Sequence, residues 1–222
     1  PLGAGAATLE KSRLRDFIGI LLESYDVVGP KIGAGEIVLD RIESPDELAS
    51  GYKDIQTPGI YRLERAEGGG TIFTYVNGHE SPKKFLNPAR LVEFVGKPLG
   101  AVAEEVLPRD HQRGIAFFAV RPCDRQAIRV LDLVFLNAYP DYYYRRVREG
   151  CLIIVLNCTT TGNLCFCVSM GTGPRAHTLF DIAMTELDDR FLLEVGSPKG
   201  QDIVRRLGAR AATSEDLLDA GR

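Results

Sequence analysis

The sequence has no marked excess of charge of either sign, no long hydrophobic run and none of the usual metal-binding spacings. With 27 Lys+Arg against 30 Asp+Glu and a formal net charge of -3, it lacks the basic excess of a nucleic-acid-binding domain, and nucleic acid is not expected as a partner. The longest apolar runs, over 115–120 and 152–156, fall far below the ~20 residues of a bilayer-spanning helix, so no membrane partner is expected. The opening Pro1-Leu2-Gly3-Ala4-Gly5-Ala6-Ala7 shows no charged stretch followed by an apolar one; no signal peptide is read there, and the expected compartment is the cytoplasm. His79, His111 and His177 are scattered without ligand spacing and read as surface or hydrogen-bonded residues. What remains, 222 residues at 45% hydrophobic and 26% charged, is globular composition.

Five cysteines stand out, because four of them crowd into positions 151–167. A disulfide framework is disfavoured in a chain of this size and apolar content, which leaves metal or redox chemistry as the leading idea.

Periodicity divides the chain into an α+β N-terminal portion, 1–108, and an α/β portion, 109–222. In the first, helical spacing predicts a helix over 9–25, stopped by Gly29-Pro30. A short strand follows over 36–40, then a short helix capped by Ser44 with Pro45 in its first turn. Two β-rich runs, 60–65 and 71–76, read as a hairpin around Gly68-Gly69-Gly70. In the second portion, 115–120 reads as a strand buried on both faces, 124–136 and 139–148 as helices, and 152–156 as the next buried strand. Together these form a β-α-β unit of a parallel sheet. A helix over 180–187, a strand over 191–195 and helices over 201–207 and 214–218 complete the pattern.

The two buried strands end in Arg121-Pro122-Cys123-Asp124 and Asn157-Cys158-Thr159. If they run parallel, Cys123 and Cys158 lie just past their carboxyl ends, where open α/β sheets place ligands. Cys165-Phe166-Cys167 comes next, and in an extended segment both sulfurs point to the same side. Cys123, Cys158, Cys165 and Cys167 could thus face one pocket. Cys151, at the other end of its strand and roughly 20 Å away at ~3.3 Å per residue, reads as structural. Four soft thiolates suit either a [4Fe-4S] cluster or tetrahedral zinc, and no C-x-x-C pair decides between them. Four buried structural thiols are the remaining alternative. Arg121 and Arg125, beside Cys123, would favour its thiolate. The glycine-bearing Ser169-Met170-Gly171-Thr172-Gly173-Pro174 lacks the Lys-Ser/Thr of a phosphate loop and reads as a tight turn against whatever the thiols hold. The Tyr142-Tyr143-Tyr144 run reads as helix packing.

Several blocks together resemble a known family. They are Val120-Arg121-Pro122-Cys123-Asp124 with Ala127-Ile128 and Leu131-Asp132, then Tyr142, Arg145-Arg146 and Asn157-Cys158, and the block from Cys165-Phe166-Cys167 through Pro174. Upstream, Tyr25-Asp26-Val27-Val28-Gly29-Pro30 and Pro58-Gly59-Ile60-Tyr61-Arg62-Leu63 match as well. The chain resembles the beta subunit of sulfhydrogenases and is similar to the iron-sulfur electron-transfer subunit of anaerobic sulfite reductase. The Cys-Phe-Cys block is the specific part. The resemblance implies an iron-sulfur electron-transfer subunit without substrate chemistry of its own. Such a subunit sits in a multi-subunit oxidoreductase and passes electrons between its flavin-bearing diaphorase and its catalytic subunits. The resemblance carries the four-cysteine site over to Cys123, Cys158, Cys165 and Cys167. Those relatives continue into a ferredoxin-like region with two further [4Fe-4S] clusters that has no counterpart in this sequence, which is expected to be either the N-terminal domain of a longer protein or a form that has lost those clusters. A non-redox zinc-binding or interaction module with a cysteine-stapled loop is the alternative reading.

Overall fold

Strands that are apolar along their whole length need cover on both faces, and the arrangement of elements provides it. The computed structural model describes residues 5–66, 70–76, 78–91, 94–95, 104–105 and 113–221. In chain order these form β1 (Ala6–Glu10), a 3-10 turn Lys11–Arg13, α1 (Leu14–Ser24), β2 (Tyr25–Gly33), β3 (Glu36–Ile42), a 3-10 turn Pro45–Glu47, β4 (Tyr52–Thr57), β5 (Ile60–Arg65) and β6 (Phe73–Thr74). Then come α2 (Lys83–Leu86), β7 (Phe94–Val95), β8 (Glu104–Glu105), β9 (Gly114–Val120), α3 (Pro122–Phe135), α4 (Tyr142–Gly150), β10 (Leu152–Leu156), β11 (Ile182–Glu186), β12 (Arg190–Val195), α5 (Pro198–Arg206), β13 (Arg210–Ala211) and α6 (Ser214–Asp219).

Eight strands make one mixed sheet in the order β13-β1-β12-β11-β10-β9-β2-β3. Its centre, β2, β9, β10 and β11, is parallel, and the flanking strands pair antiparallel. The sheet draws strands from both sides of residue 108. Period-two alternation sends Ala116, Phe118, Leu152 and Ile154 to one face, against Phe17, Ile18 and Leu21 of α1 and Ile203 of α5. Ile115, Phe117, Ile153 and Val155 go to the other, against Ile128 of α3 and Tyr143, Tyr144 and Val147 of α4. The β9-α3-α4-β10 unit is the β-α-β expected from the sequence. The fold is α/β. Among the described residues no helix is long and apolar enough to cross a membrane.

Three local readings change. The first helix begins only at Leu14, because residues 6–10 form β1, where Leu9 pairs with Phe191 of β12 and is buried. Cross-strand burial overrides helical spacing there, and residues 25–33 continue as a strand through Gly29-Pro30. The hairpin is β4-β5 around Pro58-Gly59, where Gly59 takes a positive φ of 75° after proline, the geometry of a type II turn; β6 instead pairs parallel with β4. Residues 182–186, read as helix, are a strand buried along its whole length between β10 and β12. A segment as short as Ile182-Ala183-Met184-Thr185-Glu186 does not distinguish the two by period.

One irregularity sets the direction in which the chain leaves β9. Between Phe117↔Ile153 and Val120↔Val155 the register of β9 on β10 slips by one residue, and Ala119 sits in the left-handed region at φ 56°. This β-bulge at the carboxyl end of β9 reverses the alternation: Phe118 and Ala119 both lie on the α1 face and Val120 on the other. A β-branched side chain fits the left-handed region poorly. Ala119→Val is therefore expected to lower unfolding free energy by about 2 kcal/mol or more, whereas Ala119→Gly, trading a lost methyl contact for relieved strain, stays within about 1 kcal/mol of the parent. Urea unfolding of the two variants checks this; an equally stable Val variant contradicts the bulge.

Candidate metal centre

The parallel pairing of β9 and β10 releases both chains from the same edge of the sheet. Past β9, Arg121 precedes Pro122 at the first position of α3, where a missing N–H costs nothing, and Cys123 follows in the first turn. Past β10, Asn157 is buried and bonds in three directions. Its N–H donates to the Met184 carbonyl at 2.8 Å, its Nδ2 to Thr185 Oγ1 at 2.9 Å, and its Oδ1 accepts from the Ala176 N–H at 2.9 Å. The Cys158 N–H donates to the Pro174 carbonyl at 3.0 Å. These bonds close the base of the loop 159–173, so Cys165 and Cys167 are carried back over the strand ends. Arg175, paired with Glu194 through two contacts of 3.0 Å, holds the returning strand of the loop.

The four thiols expected from the sequence lie along this edge, Cys158 coupled electrostatically to Cys123, Cys165 and Cys167, and Cys123 also to Cys167. Although Cys123 is exposed, desolvation by its neighbours first, then the Asp124 carboxylate and the nearby Cys158 and Cys167, push its thiol up to about 12. Burial also raises Cys158, as do Cys167 and Cys165, while Arg121 acts in the opposite direction. Cys165 Sγ accepts the Gly162 N–H at 3.3 Å. Among the described residues, no group of three or more His, Cys, Asp or Glu side chains forms a ready-made ion site. The thiols share an edge without closing into a cage. Cys151 lies at the opposite end of β10, buried, with its Sγ donating to the Val147 carbonyl at 3.2 Å. His79 and His177 are exposed; His111 lies outside the described residues.

Three local features bear on what the edge can hold. The donor set is four soft thiols, which suits iron-sulfur or zinc. Gly173 forms a cradle: a Cβ there would stand 2.9 Å from Cys167 Sγ and 3.5 Å from Pro122 Cβ, so only glycine lets the loop close against α3 at that sulfur. Finally, the buried Arg121 guanidinium lies with Nη1 4.0 Å from Cys158 Sγ and Nε without a hydrogen-bond partner, an environment suited to negative charge at the sulfurs. These residues fit a thiolate-held group.

Arg121 bears on Cys158 across the edge. Arg125 is buried and donates to Gln126 Oε1 at 3.2 Å. Asp124 accepts the Arg121 backbone N–H at 3.2 Å, leaving the guanidinium to turn elsewhere. Two positioning residues had no sequence signal. Tyr75 provides the carbonyl that receives Arg121 Nη2. Glu186, at the end of β11, accepts the N–H groups of Ile72 and Phe73 and so fastens the Tyr75 segment to the same edge. Of the tyrosine run, Tyr143 and Tyr144 are core residues, and Tyr142 is exposed.

The fold and site define an α/β protein with a cysteine-bearing edge at the carboxyl ends of two parallel strands. No family model matches the chain. It is similar to sulfhydrogenase 2 subunit beta of Pyrococcus furiosus, 33% identical over 159 residues, which are 71% of this chain and 46% of that protein. The chain thus spans about half the length of that relative. Over the matched stretch it is related to a sulfhydrogenase beta subunit, as the motifs indicated.

Because Gly173 abuts Cys167, Gly173→Ala is expected to displace that sulfur and lower metal content severalfold, while the fold, whose core lies elsewhere, keeps its far-ultraviolet dichroism. Metal analysis after anaerobic reconstitution measures it; undiminished loading contradicts the cradle.

Proposed function

We propose that the chain is an electron-transfer component of a hydrogenase-type oxidoreductase complex, holding one [4Fe-4S] cluster through Cys123, Cys158, Cys165 and Cys167. What supports the reading is that four cysteines follow the carboxyl ends of β9 and β10 along one edge, with Cys158 coupled electrostatically to Cys123, Cys165 and Cys167, in a chain similar to a subunit of a sulfhydrogenase. When bound, such a cluster takes up and releases single electrons. The chain's own part is to hold the sulfurs and supply fixed charge beside Cys158.

Partner subunits are part of the same reading: a flavin-bearing one that gives or takes electrons and, at the other end, a catalytic one. The loop supports it. Residues 158–174 contain no Asp, Glu, Lys, Arg or His, in a chain that is 26% charged. Around Cys165 and Cys167 the loop exposes Leu164, Phe166, Val168 and Met170, each more than 60% accessible. Depletion of charge with enrichment of aromatic residues and Met is the composition of an interface core.

Anaerobically reconstituted protein is expected to show broad absorption near ~400 nm. Cys158→Ala should lose most of its iron and that absorption, and Cys151→Ala should keep both. Colourless protein carrying one zinc would favour the structural-metal reading, and iron lost from the Cys151 variant but kept by the Cys158 variant would overturn the ligand assignment.

A further inference from the structure

Arg121 is 3% exposed, yet among the described residues no carboxylate forms an ion pair with its guanidinium. Its Nη2 donates to the Tyr75 carbonyl, Nη1 lies 4.0 Å from Cys158 Sγ, and Nε has no hydrogen-bond partner. Burying a cation whose nearby carboxylate, Asp124, is engaged at a backbone N–H is costly, and here the group beside Nη1 is a thiol. We infer that Arg121 is the fixed counter-charge of the cysteine site, a positioning residue that favours the reduced form of the group held there. The inference rests on the iron-sulfur reading and adds to it the residue that sets the potential.

The fold over-determines where this charge sits. The bulge at Ala119 restores to residue 121 the face that holds Tyr75, which lies in the same core cluster as Phe118 and Ala119. With regular alternation, Arg121 would emerge on the α3 face. The guanidinium then stacks over the Tyr75 ring, 5.8 Å from its centroid. Tyr75 is itself buried, its Oη donating to the Ala49 carbonyl at 2.7 Å, and Glu186 ties its segment to β11. Asp124 feels the Arg121 charge, but its carboxylate is engaged at the Arg121 backbone N–H. The cation is therefore held beside Cys158 by the carbonyl and the ring of Tyr75.

Reduction adds one electron from an external donor to the bound group, with no bond made or broken at Arg121; the donor is oxidised in the same step. A cation nearby stabilises the added charge, more so where water is excluded. The test is an anaerobic spectroelectrochemical titration of reconstituted wild type, Arg121→Gln, Arg121→Met and Arg121→Lys, with dithionite as donor and iron measured in parallel. The neutral variants are expected to keep their iron and lose about tenfold in the equilibrium constant for reduction, a midpoint lower by about 59 mV for a one-electron couple. Arg121→Lys should fall between them and wild type. An unshifted or raised midpoint in an iron-replete neutral variant overturns the inference. So does unfolding of both neutral variants while Arg121→Lys folds, which would assign the charge to the fold alone. A wild type that takes up no iron removes the iron-sulfur reading itself and this inference with it.

Discussion

The structure depends on one pairing, the parallel alignment of β9 with β10 in the middle of the sheet. Side-by-side parallel strands must deliver their carboxyl ends to the same edge, and the crossover through α3 and α4 returns the chain to make that possible. Cys123 and Cys158, 35 positions apart in sequence terms, become neighbours through that constraint alone. Every other feature of the site elaborates the same edge: Asn157 ends β10 and anchors the loop, Glu186 ends β11 and anchors the Tyr75 segment, and the bulge at Ala119 ends β9 and aims Arg121.

Electrostatics explain why the edge needs such support. Desolvation raises the half-buried Cys158 thiol, disfavouring the thiolate that a metal requires. A cation fixed at 4.0 Å from Cys158 works against that desolvation. The loop then covers the edge with exposed apolar side chains and no charge, so the polar work is done beneath it and the outer surface is left suited to a protein partner.

Much of this was readable from sequence because the informative elements are those whose signals are strong. Residues 115–120 and 152–156 are continuous apolar runs, which only doubly covered strands tolerate, and the cysteines come directly after them. The Ser44 cap and Pro45 marked their turn for local chemical reasons, and the Ser44 Oγ does accept the Asp46 N–H. Where the outcome rested on distant pairing, the sequence pattern pointed elsewhere. Residues 6–10 lie in a strand because β12 is beside them, and 182–186 are a strand because both neighbours are strands. The site followed the same division. The four cysteines lay in local motifs, whereas Tyr75, 46 positions before Arg121, reached the edge by tertiary packing and carried no motif. The direction in which Arg121 points could not be read either, since a single bulge residue reverses it.

Whether the four thiols at this strand-end edge hold an iron-sulfur cluster is decided by counting iron and acid-labile sulfide in anaerobically reconstituted wild-type protein. About four irons and four sulfides per chain are expected, as a [4Fe-4S] cluster requires. One tightly held metal ion per chain with no labile sulfide would contradict this expectation.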